Sequence, residues 1–199
     1  MTIEPRVIHR AAVNLWGAHI PFSGWTVAAL AAGAALSVAL GRRSGERSVA
    51  WSCALMSLTA ALAFTLTPDG HDPPIGLAPC IPNGLDDLIF NIFHTGGGPA
   101  ADALNVLLLM PLTTSLVVAA RRPAIAVAVA ILLPVGIELT QTVVPGRFCA
   151  VSDIVTNTTG GLLGVLVGYV AARVRRRRDR SRATPEPPAG PGDAPSPRR

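Results

Sequence analysis

Five apolar segments dominate this chain, and each is long enough to cross a bilayer as a helix. A helix needs roughly 17–25 residues to cross the hydrocarbon core. The segments are Pro21–Leu40, Val49–Leu66, Ala103–Ala120, Ala124–Val144 and Ile154–Val174. Only 15% of the residues are charged and the mean hydropathy is +0.45, as in membrane proteins. The sequence therefore predicts an all-α, polytopic transmembrane helical bundle of about five spans, with short interfacial helices.

The basic residues predict the orientation of this bundle. All 17 are arginines; 13 of them follow the first, third or fifth apolar segment, and Arg173 lies at the end of the fifth. The three others are Arg6, Arg10 and Arg147. Because cytoplasmic loops are rich in basic residues, we expect a multi-pass protein of the cell membrane with its amino terminus outside and its carboxyl terminus cytoplasmic. The terminal arginine run adjoins an apolar helix, which favours membrane lipids over nucleic acid as a partner.

Composition divides the chain into five regions. Arg6, Arg10 and Asn14 would share one face of a helix, which predicts an interfacial amphipathic helix in the first region. An apolar stripe over 85–93 predicts a second short amphipathic helix in the outer loop. The regions are an amphipathic segment (1–20), two transmembrane helices (21–66), the outer loop (67–102), a three-helix core (103–174) and a basic, proline-rich, disordered cytoplasmic tail (175–199).

The predicted topology also separates the three cysteines. Cys80 and Cys149 fall in the two outer loops, whereas Cys53 lies inside the second span. Disulfides form in the oxidising compartment outside the cytoplasm. We therefore expect a Cys80–Cys149 disulfide, with two unpaired thiols as the alternative.

Polar side chains interrupt the last three apolar segments near their outer ends. Charged groups in a spanning helix are costly and are expected to face the bundle interior, where they find partners. Arg147 is the nearby cation and could reach either carboxylate. The residues that we expect to form one outer-leaflet cluster are Asn105, Glu138, Gln141, Arg147, Asp153 and Asn157.

Glycines follow this cluster on the fifth segment. Gly160, Gly164 and Gly168 have the spacing that lets two helix backbones approach closely. We expect this face to pack against the fourth segment.

The motifs "LLLMPL" after Asn105, "IELTQ" with Glu138 and Gln141, and "GRFCAVSDIVTNTTGGLLG" occur in this order. Together they resemble the VanZ-like family of small integral membrane proteins, and the resemblance covers about Pro68–Val174. The family is named for an accessory protein of glycopeptide resistance that raises tolerance to teicoplanin. The resemblance implies a membrane protein of the cell envelope and supplies no reaction.

Three functions remain open for the cluster. It could bind the head group of a lipid or cell-envelope precursor, with Arg147 on a phosphate and the amides as hydrogen-bond donors. It could be an intramembrane enzyme with Glu138 and Asp153 as acid and base, although no nucleophile is evident. It could simply join helices. The first is favoured, with no catalytic residue assigned.

The sequence predicts no cofactor. A metal site is not expected either, because the candidate ligands in the outer loop match no known spacing. These candidates are Asp69, His71, Asp72 and His94. The identity of the ligand and the oligomeric state stay open.

Overall fold

The computed structural model describes residues 11–15, 18–22, 24–42, 46–68, 72–94 and 98–183. Within them the chain forms two short strands, six α-helices and one turn of 3-10 helix at Ala78–Cys80. The strands are β1 (Ala11–Leu15) and β2 (Ala18–Phe22), and the helices are α1 (Gly24–Gly41), α2 (Glu46–Thr65), α3 (Leu85–His94), α4 (Pro99–Ala120), α5 (Pro123–Gln141) and α6 (Val151–Ala183). The predicted helical bundle is confirmed.

Four of the helices are long and apolar enough to cross a membrane. They are α2, α4, α5 and α6, and they correspond to the second to fifth predicted spans. The first predicted span corresponds to α1, whose apolar stretch Thr26–Ala39 is shorter. The chain is therefore a multi-pass membrane protein with four spanning helices and a shorter apolar helix among its described residues.

Within the predicted amphipathic segment (1–20), residues 11–15 and 18–20 form strands, so the prediction of a helix is wrong there. There β1 and β2 form an antiparallel hairpin, in which Val13 pairs with Ile20 and Leu15 with Ala18. Alternating apolar residues at 11, 13 and 15 suit a strand as well as a helix. Pro21 would also remove a backbone donor from a helix in this region. The predicted residues before Ala11 lie outside the described part of the chain.

Helix α4 lies at the centre of the bundle and contacts α2, α5 and α6. It contributes most of the buried core, with Leu109, Leu112, Leu116 and Val117 packed beside small alanines of α2 and α5. Small residues permit close packing between helices in lipid, where apolar burial alone gives little driving force. The core is therefore organised around one helix rather than around a symmetric bundle.

The bundle has two chemically distinct ends. At one, called here the disulfide end, Thr26 of α1 meets Thr67 after α2, with 2.8 Å between their hydroxyl oxygens. The opposite end, called here the arginine end, carries Arg42 after α1, Arg121 and Arg122 after α4, and the arginines in the last turns of α6. There Arg47 Nε donates to the carbonyl of Ala119 at 3.0 Å, which satisfies a backbone acceptor in the last turn of α4.

Helix α6 extends beyond the predicted fifth span. Its 33 residues correspond to about 50 Å, well over the ~30 Å hydrocarbon core. The prediction of a disordered tail is wrong for Arg175–Ala183, which continues the helix. Arginine is a good helix former, and Arg175 lies 3.8 Å from Asp179 one turn later. The tail after Ala183 lies outside the described residues.

Candidate functional site

The disulfide end is held together by a covalent bond. Cys80 and Cys149 form the predicted disulfide, with their Cα atoms 5.4 Å apart. Near it, the N–H of Gly146 donates to the carbonyl of Asp72 at 3.1 Å. The loop before α3 is therefore attached to the α5–α6 connection at two points. Cys53 is free and exposed on α2.

Glu138 fixes the start of α6 against the end of α5. Its side chain is 1% exposed, and its Oε2 accepts a 2.9 Å hydrogen bond from the N–H of Ala150. Ala150 immediately precedes α6, so this N–H is one of the donors that a helix start leaves without an intrahelical partner. The carboxylate thus acts as a cap supplied by a neighbouring helix.

Asp153 links α6 to α4. Its Oδ1 accepts a 3.0 Å hydrogen bond from Nδ2 of Asn105, and Ser152 gives it another side-chain hydrogen bond. Asp153 also interacts electrostatically with Asp102 and Arg147. The predicted pairing of polar residues from separate spans is present here as a direct contact.

Gln141 and Arg147 contact a different helix from the one expected. Gln141 Nε2 donates to the carbonyl of Thr65 at 2.8 Å. Arg147 Nε donates to Thr67 at 2.9 Å, and its Nη2 donates to Phe64 at 3.1 Å. These carbonyls lie at the end of α2, where backbone acceptors lack intrahelical donors and the helix dipole favours a positive charge. Both side chains therefore close the end of α2.

Two buried oxygens lack a hydrogen-bond donor among the described residues. They are Oδ1 of Asp102 and Oδ1 of Asn157, and the Asn157 side chain is 2% exposed. Asp102 was not among the predicted site residues. Asp102 precedes Asn105 by about one turn of α4, as Asp153 precedes Asn157 by about one turn of α6. This repeated pairing of an aspartate with an asparagine is the sequence signal that could have identified Asp102.

We call Asp102, Asn105, Glu138, Asp153 and Asn157 the polar layer. The position of the polar layer along the bundle axis follows from a glycine contact. Gly161 of α6 lies against Ala130 of α5, which runs antiparallel to α6. Counting eight residues from this contact towards the disulfide end gives Glu138 on α5 and Asp153 on α6. These two residues therefore lie at the same height along the bundle axis. Helix α5 ends at Gln141, so Glu138 is about 4.5 Å from the helix end rather than the 9–10 Å that the predicted boundary implies.

The glycines of α6 pack against α4, so the prediction that α5 is their partner helix is wrong. A Cβ added to Gly160 would lie 1.9 Å from the carbonyl oxygen of Val106, and one on Gly164 would lie 2.3 Å from that of Met110. Gly168 faces Thr114 in the same way. Hydroxyls complete the contact, since Thr113 donates to the Gly161 carbonyl at 2.8 Å. The contact with α5 is made by Gly161 instead.

A cleft of about 330 Å³ opens at the disulfide end beside the polar layer. Its wall on α3 is polar, with Asn91 Nδ2 donating to Asp87 Oδ1 at 3.4 Å and the Asn83 N–H donating to Asp87 Oδ2 at 2.9 Å. The opposite wall is the segment just before α6, including Phe148. The lining residues are Ala78, Pro79, Ile81, Asn83, Asp87, Asn91, Phe148, Cys149 and Ala150.

Within the described part of the chain, no three His, Cys, Asp or Glu side chains form a group that could hold a metal ion. Of the loop residues considered as metal ligands, Asp69, His71 and the side chain of His94 lie outside the described residues. Asp72 is described, and its backbone carbonyl is a hydrogen-bond acceptor for Gly146.

The four long apolar helices define an integral membrane protein of the multi-pass helical class. The family model VanZ/LLP1 matches residues 75–172, which include the polar layer and both disulfide cysteines. The resemblance to the VanZ-like family is thereby confirmed, and the chain is a VanZ-like membrane protein. No curated protein and no solved structure matches the chain.

Proposed function

We propose that this protein acts at the cell envelope by binding the head group of a membrane lipid or a lipid-borne envelope precursor. The cleft is the entrance to the site and the polar layer is its base. In this proposal the protein lies in the cell membrane with the disulfide end outside and the carboxyl terminus in the cytoplasm. The arginines at the opposite end support this orientation.

The observation that carries the proposal is the position of α3. Its polar face lines the cleft through Asp87 and Asn91. Its apolar face carries Leu85, Ile89 and Phe93, which are 71%, 47% and 76% exposed. A helix with these two faces lies in the membrane interface. A ligand with acyl chains in the bilayer and a polar head group would meet both faces at once.

One residue that lines the cleft is bound directly by the polar layer. Ala150 lines the cleft, and its N–H is bound by the buried Glu138 carboxylate. Glu138 therefore holds in place the wall that a head group would touch. Arg147, in the same connection, donates to carbonyls of α2 and supports that wall as well.

Lipids that co-purify with the protein test this proposal. We expect mass spectrometry to detect a lipid class with the wild-type protein that is lost from a variant with Asp87→Ala and Phe148→Ala. Asp86→Ala is the matched control, because Asp86 is an exposed neighbour on α3 and does not line the cleft. Equal lipid content in all three proteins would contradict the proposal.

A second function has support from particular contacts: the polar residues join helices and bind nothing. Asn105 links α4 to α6, and Gln141 and Arg147 close the end of α2. Glu138→Gln separates the two functions, since glutamine keeps an acceptor for the Ala150 N–H. Glutamine removes the negative charge, so a head-group site that uses this charge would lose its co-purified lipid at unchanged thermal stability. If the cluster only joins helices, both the lipid content and the thermal stability of the variant would be nearly those of the wild type.

Family membership suggests a cellular test. We propose that expression of the protein in a teicoplanin-susceptible host raises tolerance to this glycopeptide and that the Asp87→Ala, Phe148→Ala variant does not. Western blotting of membranes controls for the amount of each protein. Unchanged tolerance with the wild-type protein would remove the link to glycopeptides and leave head-group binding to be decided by the lipid analysis.

A further inference from the structure

We propose that α4 and α6 enclose a site for a monovalent alkali cation, with sodium as the test ion. The observation behind this proposal is the pair of donorless oxygens on Asp102 and Asn157. Buried polar atoms nearly always have a partner, and an exception calls for a bound water or ion. Asn157 is 2% exposed, so bulk water does not satisfy it.

The register of the two helices brings these oxygens together. Gly160 lies against Val106, and Gly164 against Met110, so α4 and α6 run parallel with a constant offset of 54 positions. With this offset Asn157 lies at the same height as Ala103. The Cα atoms of Asn157 and Asp102 therefore differ by about 1.5 Å in height along the helix axis. Asn157 lies one turn before Gly160, on the face of α6 that meets α4. The unpartnered oxygen is therefore directed into the α4–α6 interface.

The chemistry of the site is that of oxygen ligands with excess negative charge. Asp102 and Asp153 interact electrostatically across the interface, and like charges at close range repel each other. A cation between them would remove this repulsion and occupy the unpartnered oxygens. Carboxylate and amide oxygens are ligands for hard cations. Among the described residues no three His, Cys, Asp or Glu side chains form a group that could hold a metal ion, so this small ligand set matches the single charge of an alkali ion better than a divalent charge.

The other nearby groups favour the same conclusion. Asn105 Nδ2 donates to Asp153 Oδ1, so the amide fixes the orientation of one carboxylate. Arg147 interacts electrostatically with Asp153, but two of its nitrogens donate to carbonyls at the end of α2. Glu138 from α5 adds another carboxylate that interacts with Asp153.

This site adds an ion to the polar layer, which the proposed function takes as the base of the head-group site. Its test needs no lipid, because its residues do not line the cleft. The purified full-length protein in detergent tests it. We expect the unfolding temperature to rise by a few degrees when choline chloride is replaced by sodium chloride at equal ionic strength. A ligand that binds only the folded state raises the free energy of unfolding. The increase grows with the logarithm of the ligand concentration once this concentration exceeds the Kd.

Variants identify the ligands. Asp102→Asn and Asn157→Leu should abolish the sodium-dependent rise, while Asp86→Asn, an exposed carboxylate on α3, should retain it. Leucine at 157 removes an unpartnered oxygen at similar volume, so this variant is expected to stay folded in choline. If a variant fails to fold, binding of radioactive sodium to the wild-type protein with increasing unlabelled sodium decides the question. Equal stability in sodium and choline, with no saturable binding, would show that the oxygens hold only water and would overturn the proposal.

Discussion

At the scale of single residues, Arg147 shows how far sequence reasoning reaches. The sequence indicates that a cation near Glu138 and Asp153 needs acceptors, and both carboxylates do interact with it electrostatically. Its Nε and Nη2, however, donate to carbonyls 80 and 83 residues earlier in the chain. No local pattern marks these carbonyls, because every helix end has them. The contact depends on where α2 packs, which the sequence pattern does not specify.

Arg147→Gln is therefore expected to destabilise the protein by about 3 kcal/mol or more, since it removes two charged hydrogen bonds that contribute about 1.5–3 kcal/mol each. Thermal unfolding in detergent measures the loss. Arg176→Gln is the matched control, because Arg176 is exposed near the end of α6, and it should leave stability unchanged. Equal stability of the two variants would show that the hydrogen bonds from Arg147 to the α2 carbonyls do not stabilise the protein.

At the scale of the helices, the glycine spacing on α6 predicted a close contact and missed its partner. Helix α5 precedes α6 in the chain, so it was the natural neighbour to expect. Instead, the parallel α4 takes Gly160, Gly164 and Gly168, and Thr113 and Thr114 donate to carbonyls of α6. Glycine spacing reveals that a backbone comes close. It carries no information about which helix does so.

Gly164→Ala should cost about 1–3 kcal/mol of stability, because its Cβ would overlap the Met110 carbonyl and Thr113 hydroxyl of α4. Both of these atoms belong to a packed helix and move little. Thermal unfolding of the purified protein, together with the amount of folded protein in membranes, measures the effect.

The same substitution at Gly136 is the control and should have the opposite sign. A Cβ there meets nothing within 4 Å, and alanine is about 0.5–1 kcal/mol better than glycine inside a helix. If Gly164→Ala and Gly136→Ala behave alike, close packing of α6 on α4 is not what stabilises the bundle.

At the scale of the whole molecule, apolar segment length predicted four spanning helices, because lipid demands internally bonded backbone of a minimum length, whereas the first predicted span corresponds to a shorter apolar helix. The hairpin of β1 and β2 was missed, because over only five residues the apolar spacing of a strand cannot be distinguished from that of a helix. The disulfide was predicted from topology alone, because only one pair of cysteines lay on the same side. Four of the five polar-layer residues were among the predicted cluster residues, but Asp102 was missed because it lies at the first turn of α4, where an acidic residue is common.

The disulfide predicts a labelling pattern. A thiol reagent applied to the denatured protein should react at Cys53 alone, and reduction should add Cys80 and Cys149. Mass spectrometry of the labelled peptides identifies the sites. Complete labelling of Cys149 before reduction would show that the bond is absent in the cell.

The proposed orientation predicts the activity of reporter fusions. A reporter that is active only outside the cytoplasm should give signal when fused after Leu66, at the disulfide end. The same reporter fused after Arg178, at the arginine end, should give none, and the amount of each fusion protein is compared by blotting. Signal after Arg178 would reverse the orientation.

The capping of α2 by distant residues has a consequence for biosynthesis. Phe64 leaves the ribosome 83 residues before Arg147, which is about 4 to 17 s at ordinary synthesis rates. Throughout this interval the carbonyls at the end of α2 must rely on interfacial water, and the segment is open to proteolysis. A stalled nascent chain that ends before Gln141 is therefore expected to be cleaved by a membrane protease after α2 faster than the full-length chain.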